Sequence, residues 1–367
     1  MILEKITIVI PTFKRQEYIL RTMEYWSGKG AKVMVLDGTD QAIPAELLSH
    51  IEDNVRYHHM PVSFAKRIDH ARAMIETPYV ALSGDDEFHL PTGLIQSIRE
   101  LETDENLIAC MGRTMAFRND DGIIRGKIEY PAMKDYSLSD SEPCERMVRH
   151  MRCYTPSTIY AVVRSWAWRL AWEPTCREEF PVYGSAELAY ELMISYLGKS
   201  KVIPVLQWLR SKENTSVVSE DVSLNSTNPR FYLWWGSSSY GQQKEAFLDN
   251  LMKSLEDGLE IGEQRIRECV SSAYDAYVVL VKERARPSRK RAKIGLFLKN
   301  CLSKRQIIIV KSFMNAFRKS KTLPIFLTTL EECAQLLEND GVSADYGELQ
   351  AIEHRLSNFH RAKATDV

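Results

Sequence analysis

The chain lacks the marks of several large protein classes. It contains neither G-x-G-x-x-G nor G-x-x-x-x-G-K-[ST], which argues against a Rossmann dehydrogenase and a P-loop enzyme. There is no C-x-x-C pair. The seven cysteines (Cys110, Cys144, Cys153, Cys176, Cys269, Cys301, Cys333) are odd in number and widely spread, a pattern that predicts reduced thiols, no zinc site and a cytosolic compartment. Long hydrophobic runs are missing: the opening MILEKITIVIPTFKR has an acid near its start and an apolar stretch too short for a signal sequence or a membrane span. Excess charge of one sign is missing too. Lys and Arg number 48 against 49 Asp and Glu, and the net charge of −1 argues against a nucleic-acid partner by bulk electrostatics.

What is present suits a globular protein. With 367 residues, 44% of them hydrophobic and 26% charged, the chain can build one large or two medium cores. From Lys5 to Met60, short β-rich runs (ITIVIP, AKVMVLDG, VRYHHMP) alternate with a stretch from Gln16 to Trp26 in which Ile19, Met23 and Trp26 recur at helical spacing. That order predicts a βαβ unit of a parallel sheet. Ser63 is placed to cap a helix whose face carries Phe64, Ile68, Ala71 and Ile75, with Lys66, Arg67 and Arg72 in reach of phosphates or simply solvated.

The most telling stretch is TPYVALSGDDEFHL, Thr77 to Leu90. Its apolar run stops at Ser83, Gly84, Asp85, Asp86 and Glu87, the form of a buried strand delivering carboxylates at its C-terminal end. Neighbouring carboxylates on such a turn suit a hard divalent cation that shares its oxygen ligands with substrate phosphates; a solvated acidic turn is the plainer alternative. Thr12 and Asp37 end the first two strands, so their loops belong to the same sheet edge. There Asp37 can accept hydrogen bonds from a base or ribose, or merely shape the turn before Gly38.

The order PTFKR, then LDGTD, then AKRIDHARAMIETPYVALSGDDEF resembles the nucleotide-binding half of GT-A glycosyltransferases, particularly the inverting family 2 type. The resemblance implies an α/β fold with a mostly parallel, Rossmann-like sheet flanked by helices. By the same resemblance Pro11, Thr12, Arg15, Asp37 and Arg67 line a nucleotide-diphosphate sugar, Asp86 ligates Mn²⁺ or Mg²⁺ directly, and Asp85 is a second or water-mediated ligand. Gly84 stands where the family carries the first acid of D-x-D, and Leu36 replaces one aspartate of the second motif. Further on, GSAELAYELMISYLGKSKVIPVLQWLRS resembles the family's catalytic segment. Counting back from Gly198 places Glu187 at the position of the base, with Glu191 one helical turn away as the alternative. Arg210 lies where relatives approach the diphosphate.

His89 reads as a packing histidine, and Asp135 to Met151 as a mobile loop or short helix over the site. The aromatic run Cys153 to Trp172 reads as core or interface, and Asn214 to Ser239 as a loop and domain boundary. The division is a GT-A domain over 1–235 and an all-α region over 236–367, opening with a long amphipathic pattern from Gln242 to Arg284. Between Lys282 and Lys321, 14 basic residues face one acid. Such a segment lies on an anionic membrane surface, meets an acidic partner or second copy of the chain, or is a solvated face.

The expected activity is therefore metal-assisted, inverting transfer of a sugar to a saccharide or glycolipid acceptor. The expected setting is the cytoplasm or the inner membrane face, in polysaccharide or lipid-glycan assembly. A catalytically altered GT-A scaffold and a sugar-phosphate nucleotidyltransferase are the alternatives. PTFKRQ lacks the glycine-rich loop the latter requires.

Overall fold

The structure is a computed structural model and describes residues 1–214, 228–255, 262–285 and 328–365. Its centre is a mixed sheet. Four strands pair in parallel in the order β3 (Val55–His59), β2 (Lys32–Asp37), β1 (Ile6–Thr12), β4 (Tyr79–Leu82). Beyond β4 the short β9 (Val162–Arg164) runs antiparallel and joins β6 (Leu107–Asp120). Strand β6 then pairs antiparallel with β7 (Ile123–Glu129) and parallel with β10 (Lys199–Ser211). Two-residue strands β5 (Phe88–His89) and β8 (Ser137–Leu138) attach to β10, and β11 (Thr328–Thr329) extends the sheet beyond β7.

Period-two alternation divides the strands between two cores. Ile6, Ile8 and Ile10 of β1 and Val33 and Val35 of β2 face one side; Val9, Met34 and Leu36 face the other. The first side is covered by α1 (Gln16–Trp26), α4 (Pro91–Thr103) and two C-terminal helices described below. The second is covered by α3 (Phe64–Met74), α5 (Pro143–Arg152), α6 (Ser165–Arg177) and α7 (Ser185–Leu197). A single turn, α2 (Ala45–Leu48), carries no buried residue. The result is a three-layer α/β/α arrangement with the strand ends of β1, β2 and β4 along one edge.

The helices after residue 228 join these cores. The short α8 (Phe231–Trp235), α9 (Gly241–Leu255) and α10 (Glu263–Ala285) pack with α5, α6 and α7 through Trp234, Leu251 and Tyr274, all at 0% exposure. Helices α11 (Leu330–Asn339) and α12 (Tyr346–Thr365) close the opposite layer through Leu337, Ile352 and Leu356, sharing a core with β1.

Several expectations are corrected. Cys144 and Cys269 form a disulfide between α5 and α10, 125 residues apart in sequence with Cα atoms 5.4 Å apart, so the thiols are not all reduced. Sequence spacing could not show this, because the pair meets only when two distant helices pack. Of the two readings of Asp135 to Met151, the short helix is the one that forms, as α5, and it is core, with Met147 and Met151 at 0% exposure. Within the span read as loop, Phe231, Trp234 and Trp235 form a buried aromatic helix, since rings of that size find their stability in packing. The long amphipathic pattern is two helices, α9 and α10, and the C-terminal region contributes one strand, β11, to the sheet. Most of the basic segment, residues 286–321, lies outside the described residues. Among the described residues no helix is long and apolar enough to cross a membrane.

Candidate active site

The strand ends of β1 and β2 are tied together by polar groups that the parallel pairing leaves free. The Asp37 carboxylate is buried. One oxygen accepts from the Thr39 backbone N–H (2.8 Å) and the other from Gln16 Nε2 (2.9 Å) and the Tyr57 hydroxyl (2.7 Å). Burial pushes the group up, but these bonds together outweigh it and hold Asp37 below its ordinary value, so it stays ionised. Arg67 is also buried and turns inward. Its Nη1 donates to the backbone oxygens of Thr12 (2.6 Å) and Leu36 (2.9 Å), stitching the two strand ends together. Gly38 permits this, since a Cβ there would lie 2.7 Å from Arg67 Cζ.

The acidic turn follows β4 on the same edge, below Pro11, the residue before Thr12. Asp85 accepts from the Thr12 hydroxyl at 2.8 Å and lies 3.5 Å from Arg15 Nη1, which is 4.0 Å from Asp86. Asp86 accepts from Asn214 Nδ2 at 2.8 Å. Burial first, then the charge of Asp86, raises the Asp85 carboxyl above its ordinary value despite Thr12 and Arg15. Two crowded carboxylates of this kind fit a cation that would relieve their repulsion. They supply only part of a coordination sphere: among the described residues no group of three or more His, Cys, Asp or Glu is placed to hold a metal ion.

Glu87 explains the glycine that breaks the D-x-D pattern. A Cβ on Gly84 would lie 2.7 Å from Glu87 Oε2, so the Glu87 carboxyl fills the volume an acid at position 84 would need. Trp208 Nε1 donates to that oxygen at 3.1 Å, and Arg210 Nε lies 4.0 Å from the other. Burial, followed by Asp86, pushes Glu87 up to about 8. Arg210 also approaches Glu129 (3.8 Å) and lies over the rings of Tyr130 and Trp208. His89 is fully buried, with Nε2 2.9 Å from the Leu82 carbonyl oxygen, and its burial lowers it to about 4.

Glu187 is the third residue of α7, whose N-cap Gly184 has φ +86°, a conformation glycine adopts without strain. The Tyr154 hydroxyl donates to Glu187 Oε1. Burial dominates, Tyr154 partly opposes it, Glu191 reinforces it, and the carboxyl is pushed up to about 7. Glu191 is held elsewhere, at 1% exposure, by the Thr158 hydroxyl (2.6 Å) and His150 Nε2 (3.0 Å).

Tyr160 joins the two halves. It ends the turn Thr158–Tyr160, its ring stacks on Trp208 at 4.1 Å, and it is half-buried. Burial, then Glu87, Glu187, Asp86 and Asp85, raises its hydroxyl well above the usual range. Trp208, on which it stacks, bonds Glu87, and Thr158 at the start of the same turn bonds Glu191 of α7. Sequence reasoning read Tyr160 as one aromatic among many and did not single out Glu87; only the chain's folding sets both against Trp208.

No family model matches the chain, and no curated protein matches it. Solved structures do. S. aureus TarS 1–349 in complex with UDP-GlcNAc superposes with a TM-score of 0.50 at 10% identity, over 74% of this chain and 72% of that one. The chain has the GT-A glycosyltransferase fold. The same TarS fragment with UDP superposes at a TM-score of 0.40 and 9% identity, over 77% of this chain and 93% of that one. At such identity the likeness is one of fold. In that GT-A fold, Thr12, Arg15, Asp37, Asp85 and Asp86 share one strand-end edge, Arg210 approaches it from β10 through Glu87, and Glu187 stands at the start of α7.

Proposed function

We propose that the chain is a glycosyltransferase that moves a sugar from a nucleotide-diphosphate donor to a saccharide or glycolipid acceptor with inversion. The observation that carries this reading is the crowding of Asp85 and Asp86 with Thr12 and Arg15 at one strand-end edge, in a chain whose helix α7 begins with Glu187, a carboxyl poised near neutrality. A general base works best when its pKa lies near the operating pH. Support for a uridine nucleotide is limited to the UDP-GlcNAc bound by TarS in the structure of like fold.

Asp37, whose carboxylate is held by Thr39, Gln16 and Tyr57, would shape the base and ribose end of the site together with Pro11 and Thr12, and would reach the nucleotide itself by exchanging one of those donors. Asp85 and Asp86 would hold Mg²⁺ or Mn²⁺, and Arg15 and Arg210 flank the diphosphate. A bound cation supplies positive charge that neutralises the departing diphosphate. Tyr154 occupies Oε1 of Glu187 and leaves Oε2 for the acceptor hydroxyl. As the acceptor oxygen bonds to the anomeric carbon, the bond to the diphosphate breaks on the opposite face and the acceptor's proton passes to Glu187. Tyr160, kept protonated, stacks on Trp208 and with it walls the Glu87 side of the site.

The test is thermal stabilisation by UDP, GDP, CMP, dTDP and their sugars, each with Mn²⁺, Mg²⁺ or EDTA, because a ligand of the folded state raises its stability by mass action. One nucleotide is expected to stabilise the protein in a metal-dependent way, and Asp86→Ala to abolish the metal-dependent part. Stabilisation insensitive to EDTA would establish a metal-independent form of the same reading instead. No shift with any nucleotide would leave a scaffold.

A further inference from the structure

The C-terminal helix reaches the acidic turn through a buried chain of charged groups. Arg21 of α1 donates from Nη2 to the Asp86 backbone oxygen (3.0 Å) and to Glu213 Oε2 (2.9 Å). Glu213, two residues past β10, meets His360 Nε2 of α12 with its other oxygen. Arg21 and Glu213 are nearly closed to solvent, with side chains 2% and 3% exposed. The neighbour of Glu213, Asn214, donates to Asp86 Oδ2. The Arg21 guanidinium sits 4.6 Å from the Phe359 ring of α12 and 5.1 Å from the Tyr18 ring of α1, which close around it. Asp86 is thus gripped at its backbone by Arg21 and at its carboxylate by Asn214, and both grips lead to Glu213 and from there to His360.

We infer that α12 is a working part of the donor site: His360, through Glu213, Arg21 and Asn214, positions Asp86 for the cation and diphosphate. The inference rests on the reading of Asp86 above. Loss of His360 leaves one oxygen of the buried Glu213 without its hydrogen-bond partner, so the carboxylate shifts to satisfy it and draws Arg21 and Asn214 away from the turn. The helix itself stays docked, because Leu349, Ile352 and Leu356 remain in the core and Arg355 still pairs with Glu24 at 2.8 Å.

The experiment uses the full chain and measures the affinity for Mn²⁺ together with whichever of UDP, GDP and dTDP stabilises the wild type, beside the melting temperature of the free protein. His360→Ala is expected to weaken binding about tenfold, the usual scale for losing an outer partner of a ligating carboxylate. His360→Gln, which keeps an N–H for Glu213, should recover most of it. Arg355→Ala, a control on the same helix remote from the turn, should bind as the wild type does. Wild-type affinity in His360→Ala overturns the inference alone. Equal weakening by Arg355→Ala overturns it too, since helix docking in general would then be responsible. A wild type that binds none of the three nucleotides with Mn²⁺ overturns the reading of Asp86 and the inference together.

Discussion

Glu87 and Gly84 occupy one volume, and that shapes the chemistry of the whole turn. The buried Glu87 carboxyl is pushed to about 8, so at neutral pH it is mostly protonated while its neighbours serve as anions. A carboxyl raised above its unfolded value stabilises the fold at low pH and loses that contribution as pH climbs from the unfolded pKa, about 4.5, through 8. Glu87→Gln keeps the shape and stays neutral. Its unfolding free energy is therefore expected to fall less between pH 6 and 9 than the wild type's, by on the order of 1 kcal/mol per pH unit within the titrating range. Denaturant unfolding at several pH values checks this; parallel pH dependence in the two proteins would refute the buried neutral acid. At this scale the sequence was half legible. Asp37, Asp85 and Asp86 stood out because strand ends announce themselves, and Glu187 through the resemblance of its segment, counted back from Gly198. Arg67 looked like a phosphate ligand, because nothing in its spacing reveals that its guanidinium turns inward to the Thr12 and Leu36 carbonyls.

Helix α5 is tied to α10 by the Cys144–Cys269 disulfide, and α5 leads directly into Tyr154, the residue that holds Glu187. From α10, Tyr277 packs edge-on against Tyr154 at 5.4 Å. The cross-link thus stabilises the wall behind the candidate base. Cys144→Ser is expected to lower the unfolding free energy by about 2–4 kcal/mol, the usual range for a bridge that closes a long loop. Denaturant curves with and without reductant check it: reductant should shift the wild type and leave Cys144→Ser unmoved, and a wild type indifferent to reductant would show that the bridge does not form in solution. Single elements such as α1, α3 and α4 were readable from periodicity, caps and Pro91. Pairings between α5 and α10, or between α12 and the acidic turn, depend on contacts more than a hundred residues apart and leave no local trace.

Across the whole molecule, two cores on opposite faces of one sheet hold the strand-end edge, helix α7 with Glu187 and the C-terminal helices in one α/β/α arrangement. The parallel strands β1, β2 and β4 were legible because buried strands read as continuous apolar runs, and they carried the GT-A resemblance. The second half was less so, since β6 and β10 interleave with helices far apart in sequence. The central claim is that Glu187 removes the acceptor's proton in this fold. The most direct test is the pH profile of nucleoside diphosphate release, with water as acceptor, from the donor sugar that best stabilises the protein, in wild type and Glu187→Gln. Wild-type turnover should rise as Glu187 ionises through about pH 7. Glu187→Gln should bind the donor normally, lose about 100-fold or more in rate and show no such rise. Full turnover with an unchanged pH profile in Glu187→Gln would contradict the account.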